Sequence, residues 1–246
     1  MKRVTKWIQD ERDLPFIWLI FKISISILPL GIYIFLRHPF SLIGSVAYLL
    51  LNLGVFIGPF TLMLHNTSHR PLFRKGVKWG DAYMLWILCP FFGQTPHTYF
   101  VHHVGMHHPE NNLGEDTSST LKFQRDSVGD FCKYLFRFFF MSIYDLCFYL
   151  RKKNRPRLLR RALLGEITYF VAVAVLSMFH WKATLVVFVI PLIFIRFAMI
   201  AGNWAQHAFV DSASPESNYR NSITCINTSY NLKVSTMGII SGITSI

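Results

Sequence analysis

Four apolar segments, at about 15 to 36, 41 to 64, 165 to 180 and 183 to 203, decide what this chain can fold into. A hydrocarbon core of roughly 30 Å takes roughly 20 helical residues to cross, and these segments have that reach, the third only with tilt or local thinning. Lipid offers no water to bond the backbone, so each segment must be a helix that satisfies its own N–H and C=O groups. The first two are joined by Arg37, His38 and Pro39 alone, and the last two by little more than Trp181 and Lys182. Connections that short force each pair into a tight hairpin. The sequence therefore predicts an all-α integral membrane protein with four transmembrane helices in two hairpins.

Composition points the same way, since 52% hydrophobic and 15% charged residues are too apolar for an ordinary soluble domain. The 25 Lys and Arg against 13 Asp and Glu leave a net charge of +12. Such a balance raises nucleic acid as a partner. The basic residues, however, flank apolar segments and form no basic domain, so the lipid bilayer is the expected partner and nucleic acid is not. Fifteen of the 25 fall in the stretch 65 to 164, including RKKNRPRLLRR at 151 to 161. The positive-inside rule puts that stretch and both termini in the cytosol. Lys22 and Arg196 lie within a few turns of the cytosolic helix ends and are expected to snorkel to the headgroups.

Two other apolar stretches are expected to lie as cytosolic helices in the membrane interface. Residues 81 to 92 (DAYMLWILCPFF) are too few to span and contain Pro90; residues 131 to 150 are rich in aromatics but broken by Lys133, Arg137 and Asp145. The N-terminal MKRVTKWIQDERD carries both charge signs and no small-residue cleavage site, and reads as an uncleaved tail. Cys89, Cys132, Cys147 and Cys225 show no ligand spacing and read as reduced packing residues. No repeat, low-complexity tract or flexible linker divides the chain, so residues 1 to 246 form one domain.

Ten histidines are present, and five of them (His97, His102, His103, His107, His108) stand within twelve residues. His65 and His69 are spaced i, i+4, which aims both rings at one face of a helix. Neutral imidazoles suit iron, zinc and copper, and several of them with no nearby cysteine point to a redox metal over a structural zinc. The threading above brings His65 and His69 out at the cytosolic end of the second helix, and His207 at the same end of the fourth. Eight of the ten histidines share that surface; His38 and His180 occupy the opposite turns and read as ordinary interfacial side chains. His97 and His102 flank the tightest group.

HNTSH at 65 to 69, HVGMHH at 103 to 108 and GNWAQHAFVD at 202 to 211 resemble the membrane fatty acid desaturases, the histidine-box di-iron enzymes, over about residues 40 to 231. The resemblance implies that His65 and His69 form the first box, that His103, His107 and His108 form the second, and that His207 is a ligand from the end of the last span. It implies that Asn203 holds a metal-bound water, that two Fe ions are the cofactor, and that the reaction is O2-dependent introduction of a double bond into an acyl chain. The substrate would be an acyl-CoA or an acyl-lipid, in an endoplasmic reticulum or plastid membrane, with the site facing cytosol or stroma. No flavin or nicotinamide fingerprint and no HPGG heme motif occurs, so electrons would come from an external donor such as cytochrome b5 or ferredoxin. Arg151 to Arg161 is a candidate surface for that donor. Glu110, Asn111, Asn112 and Asp211 are candidates to orient the imidazole N–H groups. The sequons at Asn66 and Asn227 would stay unused in the cytosol.

The pattern departs from the family near its end. After Tyr230 and Asn231 the family continues to a third HxxHH box, whereas this chain reads LKVSTMGIISGITSI, with no histidine beyond His207 and a changed composition from about residue 232. Six histidines would undersupply two irons. Two alternatives stay open on these residues: a catalytically inactive truncated isoform acting as a membrane interaction protein, and a related acyl or alkyl hydroxylase.

Overall fold

The computed structural model describes residues 5–207 together with Ser214 and Ser217, and every regular element among them is helical. Three helical stretches are long and apolar enough to cross a membrane: Glu11–Leu36, Leu42–His69 and Pro156–Ala205. Helix α1 (Leu14–Leu36) starts with Pro15 in its first turn, where a missing N–H costs nothing. Helix α2 (Leu42–His69) is capped by Ser41, whose Oγ accepts the Gly44 N–H at 3.1 Å, and it contains a π-helical segment, Leu50–Phe56. Its far end comes back beside the start of α1. Arg70 donates to Asp10 and Asp13 at 2.7 Å each, and Leu72 C=O accepts from Gln9 N–H at 2.9 Å. The start of α1 and the end of α2 therefore lie side by side.

The last apolar stretch comprises α6 (Pro156–Thr184) and α7 (Leu185–Val189 continuing as Ile190–His207), with His180 at non-helical φ −155°, ψ 78°. In a straight helix residues 166 and 196 would stand about 45 Å apart. Instead Arg196 Nη2 is 3.1 Å from Glu166 Oε2, and the Tyr169 hydroxyl donates to Phe188 C=O at 3.0 Å. The chain folds back at His180, and α6 lies antiparallel to α7. At the fold, the His180 ring stacks on His38 with centroids 5.1 Å apart, so the turns of the two hairpins meet.

Between the hairpins run α3 (Trp79–Tyr83, Met84–Leu88, Cys89–Phe91), α4 (Thr98–His102, His103–His107, His108–Glu110) and α5 (Val128–Lys152). Helix α3 differs from the interfacial expectation. Trp79 is exposed, but Leu88, Cys89 and Phe92 are buried, and Phe92 stacks on Phe60 at 4.1 Å. The helix ends just after Pro90 and leaves carbonyls without helical partners. Asn52 Nδ2 donates to Phe91 C=O at 2.8 Å, and the Tyr48 hydroxyl stands 3.1 Å from both that oxygen and Val187 C=O. Two side chains of α2 thus give the end of α3 the polar partners it needs for burial.

The segment after α3 is clamped between α6 and α7. Gly93 has φ +70°, and a Cβ there would stand 2.2 Å from Leu192 N; a Cβ on Gly165 would stand 1.7 Å from Pro96 O. Only glycine permits either approach. Arg196 also differs from expectation: its side chain is 20% exposed and engages Glu166, itself 7% exposed, so it does not snorkel. A buried carboxylate attracts a cation more strongly than the interface does, and the fold-back at His180 supplies the encounter. Part of the basic run is likewise engaged by the chain itself, Lys152 on Glu115 at 2.8 Å and Lys153 on Glu110 at 2.9 Å at the surface, and Arg155 on Gly105 C=O at 2.6 Å. Helix α5 is two-faced, burying Tyr134, Leu146 and Tyr149 while exposing Phe136, Phe140 and Phe148. Cys89, Cys132 and Cys147 are free thiols; Cys225 lies outside the described residues.

Candidate metal centre

The last turn of α2 carries His65 and His69, with ring centroids 5.1 Å apart on one face. Across from them, α4 widens into a π turn in which the His108 N–H bonds back to His103 C=O, an i to i+5 closure. That closure sets His108 edge-on to His103, with ring centroids 4.4 Å apart, and their Nε2 atoms approach to 3.0 Å. Two nitrogens each about 2.1 Å from a shared ion and at right angles around it would stand about 3.0 Å apart. His103 also lies 4.6 Å from His65, and His108 lies 4.7 Å from His69, centroid to centroid. The ligand nitrogens of His65, His69 and His103 all fall within 4.8 Å of one another. Four imidazoles from two helices converge, and the donor set fits a transition metal.

His107 turns to a second lobe. Its ring is 5.3 Å from His207 at the end of α7 and 5.9 Å from both His103 and His108. Asn203, one turn before His207, donates through Nδ2 to Ser118 C=O at 3.0 Å and to Tyr134 Oη at 2.7 Å. Two partners flank the imidazoles. Tyr99 Oη is 3.2 Å from His65 Nδ1 while its ring stacks on His103, and Asp116 Oδ2 is 2.6 Å from His107 Nδ1.

Electrostatics keep these rings ready to ligate. Burial, aided by the charges of His65 and His108, holds His103 far below the ordinary imidazole range. Burial with His69 and His107 lowers His108 to about 4, and burial with His107 lowers His207 to about 4. Rings neutral at pH 7 keep a lone pair for a metal. For Asp116 burial pushes the carboxyl upward, but the His107 interaction and the Ser118 donors outweigh it and bring it to about 2. It is an anion in the fold.

All six histidines singled out from the sequence thus come together, with Asn203 alongside. His97 does not join them: it sits at a left-handed φ of 67° with its ring edge on Trp86. His102 stays on the flank, its ring parallel to His107 at 6.3 Å and edge-on to Phe138. Among the proposed orienting residues, Glu110 bonds Tyr149 and Lys153, not an imidazole. Asn111 ends α4 with a left-handed φ of 48°, and Asn112 reaches Asp116 and Thr120. Asp211 lies outside the described residues. Sequence reasoning missed Asp116 and Tyr99. Tyr99 stands four residues before His103, a helical spacing that could have found it; Asp116, two residues before Ser118, carries only the generic signature of an Asx turn.

The family model described as fatty acid desaturase matches residues 41–237, a range that includes every residue of the two lobes. No curated protein and no solved structure matches the chain.

Proposed function

Because the chain belongs to the fatty acid desaturase family, we propose that it holds two iron ions and introduces a double bond into an acyl chain with O2. The observation that carries this reading is the convergence of His65, His69, His103 and His108 from two helices, with His107 and His207 beside them. Iron bound there supplies oxidation of an unactivated methylene by O2, chemistry that side chains alone do not perform. The protein's own part is to hold, orient and keep dry. His65, His69, His103 and His108 would hold one ion, and His107 and His207 would contribute nitrogens to the other. Tyr99 engages Nδ1 of His65, and Asn203, held through Nδ2 by Ser118 C=O and Tyr134 Oη, would hold a metal-bound water.

In this reading α1, α2, α6 and α7 make four membrane crossings, α5 lies in the headgroup plane on its aromatic face, and the site faces cytosol or stroma. An acyl-CoA or acyl-lipid fits such a boundary, its hydrocarbon between the helices and its headgroup by the charged stretch. Arg157, Arg160 and Arg161 are exposed on the first turns of α6. They offer an acidic electron donor, such as cytochrome b5 or ferredoxin, a complementary surface.

Expression of the full chain in yeast, with acyl-chain analysis by gas chromatography and mass spectrometry and iron analysis of the purified protein, tests the proposal. We expect a new unsaturated acyl chain, lost in His103→Ala, and about two irons per chain, about half of them lost in that variant. An unchanged acyl profile together with iron-free protein refutes it. A hydroxylated product in place of the alkene assigns the sister reaction.

A further inference from the structure

We infer that Asp116 is a positioning residue of the metal centre, which fixes the tautomer and direction of His107 so that Nε2 is the ligating nitrogen. The inference rests on the metal-centre reading above. Asp116 has no exposed side-chain surface, and its Oδ2 stands 2.6 Å from His107 Nδ1. The same oxygen accepts the Asn112 N–H at 3.0 Å, while Oδ1 accepts both the Ser118 N–H and the Ser118 hydroxyl at 2.7 Å. Two of these partners are backbone N–H groups, which can only donate, and the carboxylate can only accept. His107 Nδ1 must therefore carry the proton.

A neutral imidazole has one N–H, so a proton held at Nδ1 places the lone pair on Nε2. That nitrogen lies on the ring edge away from Asp116. Tyr99, at 3.2 Å from His65 Nδ1, does not impose the same choice, because a hydroxyl donates or accepts with equal ease. Capping a loop needs only an acceptor, and a buried carboxylate is a costly way to supply one. The charge has a use if it strengthens the bond that holds His107 and raises the ring's basicity as a ligand. The same loop also accepts from Asn203 at Ser118 C=O, so one short segment sets the angle of groups from α4 and from α7.

An Asn at 116 cannot reproduce this. Turned one way, its NH2 faces His107 Nδ1 and reverses the tautomer; turned the other way, it faces the Ser118 N–H. The test is titration of the metal-stripped, detergent-purified full chain with cobalt(II) alone, followed by visible absorption. Asp116→Asn should weaken the second cobalt-binding step roughly 10–100-fold and shift its absorption band. In a His107→Ala background the same substitution should change nothing further, as required of a residue that acts through His107. An unchanged isotherm for Asp116→Asn overturns the inference, as does an equal loss in both backgrounds, which would mark a purely structural role. If Asp116→Asn aggregates, Ser118→Ala replaces it: a weaker second step supports the inference and an unchanged one overturns it. Absence of cobalt uptake by the unsubstituted chain overturns the metal-centre reading itself, and the inference with it.

Discussion

Removing the carboxylate of Glu166 should cost more stability than any single change at the metal ligands. At 3.1 Å from Arg196, and with an effective dielectric of about 20, the attraction is about 5 kcal/mol before desolvation is subtracted. Breaking a buried pair from one side leaves the other charge uncompensated and costs about 3–5 kcal/mol. Thr95 adds to this, because its hydroxyl donates to Glu166 Oε1 and would lose its acceptor. Glu166→Leu is therefore expected to lower the apparent Tm of the full chain in lipid nanodiscs by roughly 6–20 °C, at 2–4 °C per kcal/mol. The double variant Glu166→Leu/Arg196→Met removes both charges at similar volume and should recover most of the loss, leaving about 1–2 kcal/mol for the stranded Thr95 hydroxyl. Circular dichroism melts of the four proteins close a double-mutant cycle. If Arg196→Met or Glu166→Leu alone melts with the unsubstituted protein, the arginine reaches the headgroups after all and the pair contributes nothing.

Gly165→Ala would put a methyl 1.7 Å from Pro96 O, so α6 or the segment before α4 must shift; a loss on the order of 2 kcal/mol is expected, with reduced iron content by elemental analysis. An unaltered melt would show that this segment is not clamped. Acid should destabilise the metal-free protein over a defined window. His108 and His207 stay neutral in the fold down to about 4, whereas the unfolded chain takes up those protons near 6.5, so stability is flat above about pH 7 and falls as pH drops from about 6.5 toward 4. Melts of metal-free protein across that range check the slope, and a stability that rises on acidification contradicts it. The two lobes should also separate in metal analysis. His69→Ala and His207→Ala should each lose about half of the bound iron, and complete loss from either one would mean a single cooperative site.

What could be read from the residues follows the range of the interaction. His65 and His69 were legible because an i, i+4 pair shares a face wherever the chain is α-helical, and α2 continues through His69. The pairing inside the second box was not, because the π turn at His103–His107 brings His103 to His108, not to His107. The long apolar helices were legible from composition and length alone. The burial of α3 was not, since the partners of Phe91 C=O, Tyr48 and Asn52, lie about forty residues upstream. Arg196 looked like a snorkelling residue because its position along the helix was visible and its partner across the fold-back at His180 was not.

The same division separates ligands from the residues that aim them. His65 and His69 recur at helical spacing and share a face, so their pattern is written into consecutive turns. An orienting group comes from whatever loop passes behind the ring, and its place is set by that loop's own bonds. Asp116 faces His107 because Asn112, at a left-handed φ of 58°, turns the chain back after α4. Thr120 N–H then bonds Asn112 Oδ1 at 2.9 Å and closes the loop around the carboxylate. Asn112, an orienting candidate by sequence, bonds Asp116 and Thr120 and so shapes the loop that carries the acid. Asn112→Ala should therefore weaken the hold on His107 as Asp116→Asn does, and by less, because the carboxylate itself survives.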